Sequence, residues 1–184
     1  MEPAAIRMSK RACTDERQIN DFLVNAHTAF LGLVDDNMPY VIPLNFVYKD
    51  GIFYFHGANQ GKKIDIMKSN VNACMTISEN YGTMVDPTPA KTDTAYMSVI
   101  ANGKVEIITD LDEATAAMQS MLDKYVPNYY KAPLSKTHID KYQSSLGSKT
   151  VIFKIKPLNL TAKEHRLNEQ LKFYPGRFVT QDLR

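Results

Sequence analysis

At 184 residues, with 44% apolar and 23% charged side chains, the sequence has the length and composition of one ordinary globular domain with a hydrophobic core. A mean hydropathy of −0.31, and the lack of any apolar run of the roughly 18–20 residues a membrane helix needs, exclude a helical membrane protein. Met1–Lys10 lacks the apolar stretch of a secretory signal, so the chain reads as soluble and cytoplasmic, and a net charge of +2 gives no electrostatic reason to expect nucleic acid.

Residues 14–26 read as a helix, with Thr14 as its cap and Ile19, Phe22, Leu23 and Ala26 on one buried face. The period then changes. Ala29–Val34, Tyr40–Tyr48 and Ile52–His56 are strand-like runs separated by the turn signals Asp35-Asp36-Asn37 and Lys49-Asp50-Gly51. Such tight turns build an antiparallel meander, because parallel strands need crossovers of about a dozen residues. Gly61–Ser69 reads as a short helix, Val71–Ser78 as a fourth strand and residues 80–94 as a long loop. Tyr96–Thr109 is the longest strand, with Gly103 marking a bulge or bend. Asp110, with Glu113 three residues later, opens a helix whose apolar stripe runs from Leu111 to Tyr125 and which Pro127 ends. Residues 126–148 fit a loop or a short helix, Val151–Ile155 alternates as a strand, and residues 166–184 are weakly patterned. About six antiparallel strands with peripheral helices describe a mainly β, single-domain barrel over residues 1–184.

The charge is uneven along the chain. Residues 1–123 carry 10 basic and 16 acidic side chains, whereas residues 124–184 carry 12 and 4. Opposed faces of one domain or of a dimer account for this, as does a basic C-terminal part that helps hold an anionic ligand. Cys13 and Cys74 form no CxxC pair and no zinc-ligand set, so a metal site is not expected.

Gly61-Lys62-Lys63 places two cations at the start of a helix, the end at which the helix dipole repels them. An anion between them resolves the conflict, held by backbone N–H groups and two ammonium groups. Two solvated surface lysines are the plainer alternative. Phe55-His56-Gly57-Ala58 leads into this segment, and Gly57 lets a ligand approach the backbone. His56 fits either a ligand contact or a half-buried histidine satisfied by a carbonyl. Pro43 cannot donate to a central ladder, so its strand is either irregular there or lies at an edge. No GxxxxGK[ST] loop, GxGxxG turn, Ser-His-Asp arrangement or HxxxH spacing is present.

The series Pro39–Phe46, Tyr54–Ala58 and Gly61-Lys62-Lys63, followed by Ser98-Val99 and Asn102–Glu106, resembles the pyridoxamine 5'-phosphate oxidase-like flavoproteins over about residues 7–165. It is most similar to the branch that includes the 5-nitroimidazole resistance (Nim) proteins. The resemblance implies a split β-barrel that forms a homodimer, with FMN in clefts at the subunit interface. It implies that Val41, Ile42, Pro43, Leu44, Asn45 and Phe46 run along the isoalloxazine ring, with His56 and Gly57 beside the ribityl and phosphate end. Lys62 and Lys63 would take the family's basic phosphate pair, and Ser98 and Val99 a polar flavin contact. The implied activity is an FMN-dependent oxidoreductase that passes electrons from NAD(P)H to a small organic, nitro-aromatic acceptor, with His56 as the candidate polar group near the reacting region.

Two departures qualify that expectation. The true pyridoxamine phosphate oxidases carry a tryptophan- and arginine-rich C-terminal substrate segment, whereas this chain has no tryptophan, which argues against vitamin B6 oxidation. A cysteine common in the nearer branch is absent from Thr92–Ala95. The alternative is a non-catalytic module of the same fold that holds FMN or haem, with His56 or His165 as axial ligand.

Overall fold

In this computed structural model, residues 6–143 and 147–183 are described. In chain order the elements are β1 (Ala12–Cys13), α1 (Glu16–Asn25), β2 (Thr28–Asp35), β3 (Met38–Asn45), β4 (Val47–Lys49), β5 (Ile52–Ala58), α2 (Lys62–Ser69), β6 (Asn72–Met84), β7 (Asp93–Ile107), α3 (Leu111–Tyr125), α4 (Lys136–Lys141) and β8 (Thr150–His165). The strands form one antiparallel sheet in the order β3-β2-β6-β7-β8-β5-β4, with β1 on β8. Among the described residues no helix is long and apolar enough to cross a membrane.

The eight strands, rather than about six, arise at two places. Ala12–Cys13 adds a short strand, and the apolar run 40–48 divides at Phe46. Before Phe46 the chain pairs with β2; after it the chain pairs with β5. The two ends of the sheet are thus joined covalently through Phe46. Beyond this corner β3 and β5 lie against each other without a ladder between them, which leaves the barrel split. The β2–β3 turn places Asp36 at φ 52°, and the β4–β5 turn places Asp50 and Gly51 at φ 51° and 80°. The latter is a two-residue loop with both residues left-handed, as the strand twist favours. Pro39 and Pro43 sit in regular register with Val34 and Phe30. They are tolerated because β3 is an edge strand, paired on one side only.

Three segments depart from the sequence reading. α1 starts at Glu16, capped by Asp15, whose carboxylate accepts from the N–H groups of Arg17 and Gln18. The long loop expected over 80–94 is instead β-structure as far as Met84, because Gly82 takes φ 136° at a bulge and the strand continues against Asp93–Ala95. β8 runs to His165, far beyond Ile155; Pro157 sits where the β7 ladder slips a residue between Asn102 and Gly103. Gly103 is needed there, since a Cβ would come within 2.8 Å of the Lys156 carbonyl. Within 126–148, residues 136–141 form the short helix α4, and residues 144–146 lie outside the described residues. The C-terminal segment adds backbone bonds to the end of β6, Phe173 N–H to Thr83 and Val85 N–H to Leu171.

Alternation along β5 divides the core in two. Phe53 and Phe55 face the interior of the curled sheet with Phe46, Met75, Val99 and Phe153, closed by α1 and α2. Tyr54 faces the other way, with Ile152 and Ile108, beneath the Ala114, Ala117, Met118 and Met121 face of α3 and Ile139 of α4. Asp110 caps α3 by accepting from Glu113 N–H at 2.8 Å. The Glu113 carboxylate turns instead to Lys154 at 2.9 Å and to the Tyr54 hydroxyl at 3.3 Å, tying the helix to β5 and β8.

Candidate functional site

At the Phe46 corner the backbone leaves one ladder before entering the next, so its polar groups need another partner. Tyr125, the last residue of α3, supplies it. Its hydroxyl accepts from Phe46 N–H at 3.0 Å, and its proton is shared between the carbonyls of Phe46, at 3.1 Å, and His27. The Lys124 ammonium lies 4.1 Å from the centroid of the Phe46 ring and 3.4 Å from the Leu23 carbonyl, at the C-terminus of α1, where the dipole favours a cation. Burial pulls the Lys124 pKa down to about 8. The sequence showed Tyr125 only as an apolar stripe residue and gave no sign of Lys124.

The end of β5 and the start of α2 build the second feature. Gly61 caps α2 with φ 99° and offers no side chain, and the first intrahelical bonds are donated by Ile64 and Asp65 to its carbonyl. The N–H groups of Lys62 and Lys63 precede those bonds and point out of the helix start. Lys63 folds back over β5. Its ammonium sits 5.6 Å from the Phe153 ring centroid, and a Cβ built on Gly57 would fall 2.0 Å from it. Gly57 is therefore the residue that leaves room for this lysine. Lys63 is half-buried, has no ion pair among the described residues, and its pKa is lowered by that burial. Lys62 differs: it is exposed, pairs with Asp35 at 3.2 Å and lies 5.2 Å from the Tyr40 ring centroid. An unpaired, partly desolvated ammonium beside free N–H groups at the positive end of a helix is a seat for an anion.

His56 stands in register with Ile152, on the Tyr54 side of β5, whereas Gly57 turns to the Lys63 side. Although the residue keeps much of its surface in solvent, partial burial and then the nearby Lys63 ammonium pull its pKa below the ordinary histidine value. The imidazole is neutral at pH 7 and can donate or accept one hydrogen bond, not act as a fixed cation.

β3 splits its residues between two faces. Val41 and Pro43 face outward, Val41 being 58% exposed; Ile42 and Leu44 pack partly against the interior core; Asn45 is exposed; Phe46 is fully buried, with its backbone taken by Tyr125. Ser98 lies on the outer face, between Ser78 and Lys163, and Val99 is fully buried between two ladders. Within one chain, β2 and β6 separate β7 from β3. The structure thus gathers Gly57, Lys62 and Lys63, keeps His56 on the adjacent face, and leaves Ser98 and Val99 apart.

The outer face of the sheet has a character of its own. In register across β3, β2, β6, β7 and β8, it presents Val41 and Pro43, Phe30 and Val34, Cys74 and Thr76, Ile100 and Asn102, and Asn159. Leu158 beside them is 79% exposed, Phe30 45% and Ile100 41%. A groove of about 760 Å³ crosses this face, lined by Val34, Val41, Cys74, Asn102 and Leu158 among others. His165, at the far end of β8 in register with Tyr96, bonds through Nδ1 to the Thr94 carbonyl at 3.0 Å and lies 3.4 Å from the Asp93 carboxylate. This leaves Nε2 without a hydrogen-bond partner among the described residues.

Comparison with known proteins places this architecture. A family model described as pyridoxamine 5'-phosphate oxidase matches residues 15–164. No curated protein matches the sequence. Among solved structures, a candidate 5-nitroimidazole antibiotic resistance protein from Bacteroides thetaiotaomicron is 25% identical, with a TM-score of 0.67 over 83% of this chain and 85% of that one. The flavocytochrome Anf3 from Azotobacter vinelandii is 18% identical, with a TM-score of 0.73 over 90% of this chain and 76% of that one. The FAD and heme binding protein from Mycobacterium smegmatis is 16% identical, with a TM-score of 0.69 over 86% and 76%. The latter two likenesses speak to the fold, a mainly β split barrel.

Proposed function

The chain belongs to the pyridoxamine 5'-phosphate oxidase family, and we propose that it is a flavoprotein that holds FMN by its phosphate at Lys63 and Lys62 and carries electrons from NAD(P)H to a small organic acceptor. The observation that carries this reading is the Lys63 ammonium, half-buried and unpaired over Gly57 at the open start of α2. A dianionic phosphate supplies the counter-charge that the described residues do not. Lys62, already shared with Asp35, adds a weaker, exposed contribution.

When bound, FMN supplies hydride and single-electron chemistry, while the chain's residues bind, orient and exclude water. Lys63 fixes the phosphate end. The unpaired outer edge of Val41–Asn45 on the edge strand offers backbone N–H and C=O groups to a planar ring, Pro43 contributing no N–H. His56, neutral at pH 7, is positioned to hold one proton at an imidazole nitrogen rather than to add positive charge. A nitro-aromatic acceptor is consistent with the likeness to the candidate 5-nitroimidazole resistance protein. The outer apolar face is in keeping with a homodimer: Phe30, Val41, Ile100 and Leu158 are all exposed on it, a surface that a second copy could cover.

Fluorescence titration with FMN tests the site. The Lys62→Ala, Lys63→Ala protein should bind at least about tenfold more weakly, the loss expected when charge-assisted phosphate contacts worth about 1.5–3 kcal/mol are removed. Wild-type affinity in that variant overturns the assignment. A second reading, a haem-binding module without turnover, is favoured by one observation: His165 Nδ1 is bonded to a carbonyl, the arrangement that orients Nε2 for a metal. A Soret band on haem addition, lost in His165→Ala, would support it.

A further inference from the structure

The surplus of positive charge in residues 124–184 is not absorbed by the flavin site, which lies in the preceding part of the chain. Part of it gathers at one place. Between α3, α4 and the segment joining them is a cavity of about 780 Å³. Its walls are apolar: Met118 and Leu122 from α3, Ala132, Pro133 and Leu134 from the joining segment, and Ile139 from α4. Its polar lining is all cationic or neutral, namely Lys131, Lys141 and His138 with the tyrosines 130 and 142 and Thr137, and no Asp or Glu is among the lining residues.

The charges around the cavity differ in whether they are already neutralised. Lys136, on the same short helix but outside the cavity, is paired with Asp112. Lys131 and Lys141, inside it, form no ion pair among the described residues. The joining segment is also held in place from below, by Leu134 N–H bonded to the Gln119 side chain at 2.8 Å, so the cavity is built into the fold rather than left between loose ends. An apolar-floored open groove of this volume is the size of a small-molecule site, and the two lysines at its rim set the sign of what it favours.

We propose that this cavity binds an amphipathic organic anion, a carboxylate on an aliphatic body. The body lies against Met118, Leu122, Leu134 and Ile139, and the carboxylate meets Lys131 and Lys141. The site is separate from the lysines of α2: α2 closes the interior core, whereas Met118 and Ile139 belong to the second core on the other side of β5. It is independent of the flavin assignment.

Calorimetric titration with decanoate below its aggregation threshold is the test, with octanoate and decyltrimethylammonium as companions. One saturable site per chain is expected, tighter for decanoate than for octanoate and absent for the cation. Lys131→Glu with Lys141→Glu should weaken decanoate about tenfold or more without lowering the melting temperature, since both lysines are exposed. Lys62→Ala with Lys63→Ala should leave it unchanged. The proposal is overturned by no saturable heat with decanoate, by equal affinity in the Lys131→Glu, Lys141→Glu protein, or by loss of binding in the Lys62→Ala, Lys63→Ala protein.

Discussion

Replacing Tyr125 by phenylalanine removes a single oxygen and leaves the ring, including its edge contact with His27 at 5.4 Å between centroids. The oxygen is the partner of Phe46 N–H at 3.0 Å and donates to carbonyls at the corner where the sheet closes. Phe46 is 0% exposed, so water cannot take over the orphaned N–H. A buried donor left without a partner costs about 1–3 kcal/mol. For a chain of 184 residues each kcal/mol moves Tm by about 2–4 °C, so a cost of about 2 kcal/mol lowers it by about 4–8 °C. Urea unfolding should show a lower midpoint with an unchanged m value. A loss below about 0.5 kcal/mol, less than an ordinary hydrogen bond contributes, would refute the view that Tyr125 clamps the corner.

Other perturbations reach the site and its supports. Gly57→Ala puts a methyl where the Lys63 ammonium sits and should weaken FMN binding about tenfold with little change in Tm; unchanged affinity on titration would contradict that packing. Lys124 titrates at about 8 when folded and 10.5 when unfolded. Over that interval the unfolded chain binds more protons, so wild type should gain stability relative to Lys124→Met as pH rises from 8 to 10.5, and then level off. A flat difference in urea midpoints across that range would refute it. Arg177 is 9% exposed, bonded to Asp182 at 2.6 Å and to the Lys172 carbonyl at 2.8 Å, and so anchors the C-terminal segment. Arg177→Ala should speed tryptic cleavage within residues 166–184 while the barrel resists; equal cleavage rates would contradict the anchoring role.

What the sequence made legible follows from how local each signal is. The α2 lysines were readable because a cation at a helix start conflicts with the dipole within one turn. Their inequality was not, because it depends on Asp35, 27 positions earlier, and on Gly57 across a turn. The bulge at Gly103 was visible in a single residue. The corner at Phe46 was hidden, since an apolar run of β-formers reads the same whether or not it changes partners midway. Gly82 and the prolines after it read as loop, yet β6 continues because β7 and the C-terminal segment supply partners that no local window contains. Likewise the alternation was readable only over Val151–Ile155, while the slip against β7 at Pro157 lets β8 continue in the sheet to His165. The resemblance brought Ser98 and Val99 into the site; the topology of one chain keeps them two strands from β3.

The most direct test of the central claim is the visible absorption spectrum of the protein titrated with FMN and then, without oxygen, with NADPH and NADH. The account predicts flavin bands that shift on binding, one flavin per chain, and that bleach with a nicotinamide nucleotide. Flavin bands that remain those of free FMN at every protein concentration, with no bleaching beyond that of FMN alone, would contradict it.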